Sequence, residues 1–136
     1  MRGLALALPA LAVAASAAAA PAPVAGRWLT EGGKAVVEIA PCGQQLCGRI
    51  AHVLKWVPGR PHTDLQNPEA SLRNRPLEGI NLLTGFAPAG DRWRGRIYDP
   101  ESGKTYRSEL IGSGNTLSVK GCIAFFCRTQ TWARAR

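Results

Sequence analysis

The sequence predicts an all-β domain built as a small antiparallel barrel of about eight short strands. β-branched and aromatic residues recur in short alternating runs, the pattern of strands with one buried face. Clusters of Gly, Pro, Asn, Asp and Ser separate the runs at hairpin-like intervals. Such strands either close into a barrel or pack as two sheets. Closure removes exposed edges, so we favour an up-and-down barrel.

The predicted strands follow one another with mostly short connections. They are residues 26–30, 35–40, 46–57, 80–84, 93–99, 105–111, 116–121 and 125–134. Gly32 and Gly33 supply the positive φ of a tight turn between the first two strands. The remaining short turns are rich in Gly, Pro, Ser, Asn and Asp.

One long loop interrupts this pattern between the third and fourth strands. Residues 58–76 contain four prolines and no sustained periodicity. Asn67 as N-cap and Pro68 at the first helical position predict one or two helical turns that end near Arg73. A loop this long in a compact domain is usually functional or held by specific contacts.

The first 20 residues are predicted to be a secretory signal. Arg2 precedes an apolar run from Leu4 to about Val13, and small residues follow as far as Ala20. We place the cleavage near Ala20 or Ala22. No later segment is long and apolar enough to span a bilayer. Residues 21–136 are therefore expected to form a single periplasmic or secreted domain.

The chain is strongly basic, with a net charge of +8 that falls to +7 when Arg2 is removed with the signal. Outside the cytoplasm, this charge favours contact with anionic envelope components or acidic partners over nucleic acid. A role in solubility alone is the competing interpretation.

Four cysteines form two equally spaced pairs, Cys42 with Cys47 and Cys122 with Cys127. In an oxidising compartment such pairs become disulfides, and residues that face each other across a hairpin lie at the required separation. Of the three possible connectivities, we expect the two local ones. Closing the short ring between Cys42 and Cys47 should contribute roughly 2 kcal/mol. A four-cysteine zinc site is the less favoured alternative, so no metal or cofactor is predicted.

The second cysteine pair encloses an apolar stretch, residues 123–126, that contains no Gly, Pro or Asn. We expect this tip to fold over one end of the barrel as a plug, because a small barrel must exclude water from its ends. The alternative is an apolar surface presented to a partner or a membrane.

Two polar groups are candidate binding sites. In the long loop, Asp64, Asn67, Arg73 and Arg75 either pin the loop through an Arg–Asp pair or face a ligand at the barrel mouth. On the fifth strand, alternation places Arg92, Arg94 and Arg96 on one face, where guanidinium groups could hold carboxylate or phosphate. A solvated strand face is the plainer interpretation of these three arginines.

No motif indicates catalysis. His52 lies on a predicted strand and His62 in the long loop, so nothing local brings the two histidines together. The sequence contains no Gly-x-Ser-x-Gly elbow, no His-x-Glu pair and no Gly-rich phosphate loop. An enzyme is therefore the least favoured reading, and no catalytic residue is assigned.

Several short motifs spread over the domain carry a family resemblance. They are Gly26-x-Trp28, Cys42-Gly43-x-x-Leu46-Cys47-Gly48, Thr63-Asp64-x-x-Asn67-Pro68, Arg73-Asn74-Arg75-Pro76-Leu77, Ile97-Tyr98-Asp99-Pro100 and Arg128-Thr129-Gln130-Thr131-Trp132-x-Arg134. With them the chain resembles the exported bacterial family known as domain of unknown function 2147. The resemblance implies export and a compact β domain, but no activity. The second cysteine pair departs from the family's pattern.

Trp28 and Arg134 also resemble the structural pair of lipocalin-type (calycin) barrels, in which a final-strand Arg packs over the indole of a Gly-x-Trp strand. This resemblance implies a lipocalin-like barrel. Eight strands leave an interior that side chains fill, or room for one small ligand. We therefore expect a non-catalytic binding module for a small ligand at the barrel mouth. Docking to an anionic envelope component or partner protein through the arginine face is the alternative.

Overall fold

A closed antiparallel barrel of eight strands accounts for almost all regular structure in the computed structural model, which describes residues 2–13 and 20–136. The strands are β1 (Gly26–Leu29), β2 (Ala35–Cys42), β3 (Gln45–Val53), β4 (Asn81–Ala89), β5 (Arg92–Asp99), β6 (Lys104–Ser113), β7 (Thr116–Ile123) and β8 (Phe126–Arg134). Each strand pairs with its neighbours in sequence, and β1 pairs with β8 to close the barrel. The predicted fold class is confirmed.

The predicted signal segment is only partly described by the structure. Residues 2–13 are exposed and form no helix or strand. Most of the small-residue run before the predicted cleavage point, residues 14–19, lies outside the described residues, so cleavage stays a prediction. Within residues 2–13 and 20–136, no helix has the length and apolar character needed to cross a bilayer.

The largest differences from the predicted strand ends are in β3 and β4. β3 ends at Val53 because the backbone N–H groups of Leu54 and Lys55 both turn to the Lys34 carbonyl, at 2.8 and 3.1 Å. β4 continues past the predicted end through Gly85, which adopts a φ of 68° within a register shift against β5. A bulge of this kind needs the positive φ that glycine supplies, so the glycine bends the strand without ending it.

One end of the barrel is sealed by the chain that precedes β1. Val24 is fully buried, and its carbonyl accepts a 2.8 Å hydrogen bond from the Trp28 indole. The Trp93 indole donates to the Ala22 carbonyl at 3.0 Å, and Arg134 donates to the Ala25 carbonyl at 2.9 Å. Residues 22–25 therefore belong to the folded domain. The buried core above this seal includes Trp28, Phe86, Leu110, Leu117 and Trp132.

Both disulfides form between the local pairs, Cys42–Cys47 on the β2–β3 hairpin and Cys122–Cys127 on the β7–β8 hairpin. The expectation that the second hairpin tip plugs the barrel is wrong. Phe125 is 100% exposed and Phe126 is 82% exposed. The short turn points both rings away from the interior, and residues 22–25 supply the seal at the opposite end instead.

The long β3–β4 loop, residues 54–80, contains a single 3-10 turn, Ala70–Leu72. The predicted N-cap assignment is wrong: the cap residue is Glu69, which makes no side-chain capping bond. Asn67 instead accepts a 2.8 Å hydrogen bond from the Glu69 backbone N–H through its side-chain oxygen. Proline at position 68 and this local bond favour an Asx turn over a regular helix start.

Candidate functional site

The barrel encloses a cavity of about 680 Å³, hereafter the barrel cavity. It opens at the mouth, which is the end formed by the β1–β2 connection, the β3–β4 loop, the β5–β6 turn and the β7–β8 turn. Its deeper wall is apolar, and this wall includes Ile50, Leu82, Ile97, Val119 and Trp132. A volume of this size falls within the range of ordinary small-molecule sites.

Three alternate residues of β8 project into the barrel cavity: Arg128, Gln130 and Trp132. The Trp132 indole donates a 3.0 Å hydrogen bond to the Gln130 side-chain oxygen, which fixes the amide against the cavity wall. Arg128 stands opposite Gly121 in the β7–β8 register, so no side chain from the facing position fills the space beside it. The guanidinium group is thus available to a molecule in the cavity.

Charged side chains surround the mouth side of the barrel cavity. The basic ones are Lys34, Lys55, Arg60 and Arg128, and the acidic ones are Glu31, Asp99 and Glu101. The Lys55 ammonium donates to the Gly32 carbonyl at 2.7 Å, and both Asp99 oxygens accept bonds within the β5–β6 turn. In the described part of the chain, Arg128 has no carboxylate within 4.0 Å. None of the three acidic residues forms an ion pair in the described residues either, so Arg128 is distinguished by its place on the β8 wall and not by a large excess of positive charge.

A buried hydroxyl lies next to the cavity wall at Ser108. This residue is 3% exposed, and its Oγ has no hydrogen-bond partner among the described residues. In the register it sits between Gly95 and Gly121, both without side chains, and Gly121 lines the cavity. An unpaired buried hydroxyl costs about 1–3 kcal/mol, so a bound polar group or water at this position would be favoured.

The β3–β4 loop is held by a buried clasp around Asp64, whose side chain is fully inaccessible. Its carboxylate accepts hydrogen bonds from Asn67 at 2.8 Å, from Arg75 Nε at 3.0 Å and from the Tyr98 hydroxyl at 2.6 Å. Arg75 Nη2 lies 2.9 Å from the same carboxylate in an ion pair. Arg73 donates instead to the Asn67 carbonyl at 2.8 Å. All four predicted loop residues are thus brought together, and their polar groups bind one another and the loop backbone.

The Asp64 clasp positions part of the cavity wall. Tyr98 belongs to β5, so its bond to Asp64 ties the loop to the barrel. Burial, followed by the hydrogen bond to Asp64, raises the pKa of Tyr98 to about 12, which keeps the hydroxyl protonated as the donor. Neighbouring Thr63, Leu65 and Gln66 line the cavity while Asp64 is turned away from it. The clasp therefore holds the residues of the cavity wall in place, although Asp64 itself does not face the cavity.

The arginine face on β5 is partly neutralised by two carboxylates, those of Asp91 and Glu109. Glu109 on β6 accepts from Arg92 at 2.8 Å and from Arg94 at 3.2 Å. The hydrogen bond from Arg92 holds the pKa of Glu109 below its usual value. Arg96 stands opposite Arg107 in the β5–β6 register, and neither has a carboxylate partner in the described residues. The open positive charge lies at the mouth end of this face.

The two histidines are apart from each other. The His62 ring stacks on Trp56 with centroids 3.6 Å apart, and His52 lies 3.6 Å from the Glu78 carboxylate. Across residues 2–13 and 20–136, no group of three or more His, Cys, Asp or Glu side chains is placed to hold a metal ion. Trp56 also lines the barrel cavity, which makes the stacked pair part of the mouth.

Sequence reasoning missed the polar residues of the cavity wall, Arg128, Gln130 and Tyr106, and the buried Ser108 next to it. The signal was present in the period-two alternation of β8, because a buried Trp132 assigns Gln130 and Arg128 to the same inner face. The same alternation on β6 assigns Ser108 to the inner face, because it lies between Tyr106 and the buried Leu110.

At the sealed end, the Arg134 guanidinium carbon lies 3.9 Å from the centroid of the Trp28 ring. An up-and-down eight-stranded barrel with an interior cavity and this Trp–Arg pair is a lipocalin-like barrel. In agreement, the chain is similar to the solved structure of protein HP1028 from the human pathogen Helicobacter pylori, described as belonging to the lipocalin family. The TM-score is 0.73 with 21% identity, and the match covers 84% of each chain.

The chain belongs to the family described as uncharacterized protein conserved in bacteria (DUF2147), which it matches over residues 26–134. This match spans all eight strands and confirms the resemblance drawn from the motifs. Among curated proteins, no sequence is significantly similar to this chain.

Proposed function

We propose that the protein is a non-catalytic binding module that holds one small amphiphilic molecule in the barrel cavity, with its anionic head toward the mouth. The observation that carries the proposal is the polarity of the cavity, which has an apolar wall at depth and the unpaired Arg128 guanidinium nearer the opening. An apolar body gains free energy by leaving water, and a carboxylate or phosphate head can pair bidentately with arginine.

The Asp64 clasp supports this function indirectly. Asp64, Asn67, Arg73 and Arg75 use their polar groups to hold the loop, so the loop wall is ordered before a ligand arrives. An ordered wall lowers the entropy lost on binding. We assign these four residues to positioning the wall, and Arg128 and Gln130 to contact with the ligand.

The two disulfides support a place outside the cytoplasm, because such bonds persist in oxidising compartments. We therefore propose that the module works in the periplasm or is secreted. Docking of an anionic polymer along Arg92, Arg94 and Arg96 is the weaker candidate, because Glu109 already engages the first two arginines.

Filling the barrel cavity is expected to abolish ligand binding. A Cβ at Gly121 would meet Ile97 at 3.6 Å and Tyr106 at 3.8 Å, which are ordinary contacts, so Gly121→Phe can project its ring into the cavity. Ser118→Phe on the outer face of the same strand is the matched control. In calorimetric titrations with decanoate, we expect Gly121→Phe to weaken binding at least about tenfold and Ser118→Phe to change it less than about twofold.

The head-group assignment is tested in the same titrations. Decyltrimethylammonium has the same chain with a positive head, so wild-type protein should prefer decanoate and Arg128→Gln should lose this preference. Undiminished decanoate binding by a folded Gly121→Phe protein would overturn the proposed function. A folded wild-type protein that binds neither probe would overturn it as well.

A further inference from the structure

The exposed apolar side chains of the barrel domain are confined to one end. Among described residues 20–136, the large apolar side chains that are exposed are Leu54, Val57, Leu65, Ile123, Phe125 and Phe126. All six lie at the mouth, on the β3–β4 loop or the β7–β8 hairpin. The turns at the sealed end are instead the polar and glycine-containing pairs at 43–44, 90–91 and 114–115. We call the six apolar residues the mouth ring.

The most prominent part of the mouth ring is a braced tip. Cys122 and Cys127 face each other directly in the β7–β8 register, with their Cα atoms 4.1 Å apart, and their disulfide closes the hairpin below the tip. The Arg107 guanidinium donates a 2.7 Å hydrogen bond to the Ala124 carbonyl in the turn. Ala124 has a φ of 50°, a left-handed conformation that is unfavourable for a non-glycine residue. Phe125 and Phe126 are therefore held outward.

Three unpaired arginines lie near this tip, two on the outer face of the barrel and one at the edge of the barrel cavity. In the register across β5, β6 and β7, Arg96, Arg107 and Cys122 lie in one row, so both arginines stand level with the disulfide on the outer face. Arg128 follows the disulfide on β8. None of these three arginines has a carboxylate within 4.0 Å in the part of the chain that the structure describes.

We propose that the mouth ring docks the protein, mouth first, onto an anionic lipid bilayer, with Phe125 and Phe126 entering the interface. The tip is the turn of a hairpin whose two phenylalanine rings are almost entirely exposed, which suits insertion between head groups better than packing against a flat protein surface. Arginines beside buried aromatic rings can meet lipid phosphates at the depth of the head groups. This docking goes beyond the proposed ligand binding and does not depend on it.

Vesicle sedimentation tests the docking. The protein is the chain from residue 21 onward, which retains all eight strands and the Ala22 and Val24 contacts that seal the barrel. The vesicles are phosphatidylglycerol mixed with phosphatidylethanolamine, and pure phosphatidylcholine is the comparison. We expect wild-type protein to sediment with the anionic vesicles and to sediment less with phosphatidylcholine vesicles. Sedimentation with the anionic vesicles should also decrease at 0.5 M salt, roughly the concentration at which salt screens charges beyond a few ångströms.

The variant Phe125→Ser/Phe126→Ser is expected to bind the anionic vesicles at least about tenfold more weakly, because two aromatic rings no longer enter the interface. Gln44→Ser, at the exposed turn of the other stapled hairpin, should bind like wild type. Gly121→Phe should also bind like wild type, which separates docking from occupation of the cavity.

Equal sedimentation of wild type and the double variant would overturn the proposal, because the tip would then contribute nothing to docking. Failure of wild-type protein to sediment with any vesicle would also overturn it, and the mouth ring would then be a surface for a protein partner.

Discussion

Replacing Trp28 by alanine is expected to lower the free energy of unfolding by about 4 kcal/mol, the usual cost of removing a fully buried tryptophan. Trp28 is 1% exposed and belongs to the main core. The substitution also leaves the Val24 carbonyl without its indole donor and the Arg134 guanidinium without the ring beneath it. Because these contacts join the pre-β1 segment to β8, we expect the sealed end of the barrel to open.

Urea unfolding with both disulfides intact measures the loss, since a small single domain normally unfolds in one step. Trp56→Ala is the control, because Trp56 is only partly buried in the β3–β4 loop and its main contact is the His62 ring. It should cost less than about 1 kcal/mol. Similar losses for the two variants would contradict the role assigned to the sealed end.

Asp64→Ala is expected to cost about 3 kcal/mol, because it removes one partner of a buried, multiply hydrogen-bonded charge pair. Tyr98, Asn67 and Arg75 would each lose a hydrogen bond to the carboxylate. The loop would separate from β5, and the cavity wall that it forms would lose its order. We therefore expect trypsin to cut after Arg73 in the variant much faster than in wild type, whereas the bond after Arg75 resists trypsin because Pro76 follows it.

The matched control for this effect is Asp91→Asn. Asp91 also pairs with an arginine, at 2.9 Å from Arg92, but its side chain is 78% exposed. Exposed pairs contribute little in water, so neither the unfolding midpoint nor the trypsin pattern should change. If Asp64→Ala left the loop as resistant to trypsin as wild type, the clasp would not be what orders it.

The fold could be predicted from sequence because strand alternation and turn residues act locally. The ends of β3 and β4 were predicted wrongly because they depend on features outside the local alternation of residues. β3 ends where Leu54 and Lys55 turn to the Lys34 carbonyl, and β4 passes through a glycine that forms a bulge. Neither contact can be deduced from a short window of residues.

The candidate site could be predicted only in part for a related reason. The loop residues around Asp64 were found by composition, but their direction depends on Tyr98, which is 34 residues away in the chain. Alternation along β8 was sufficient to predict which of its residues face inward. It could not predict the free space beside Arg128, which exists because Gly121 on the facing strand has no side chain. The apolar tip was misjudged because the segment that seals the barrel is the chain before β1, at the opposite end.

The indole N–H signals of the four tryptophans offer the most direct test of ligand binding inside the barrel. Trp132 and Trp56 line the barrel cavity, whereas Trp28 and Trp93 bind the pre-β1 segment at the sealed end. In nitrogen–proton correlation spectra, added decanoate should shift the Trp132 and Trp56 signals and leave those of Trp28 and Trp93 in place. A saturating shift confined to Trp28 and Trp93, or no shift of Trp132, would contradict binding in the cavity.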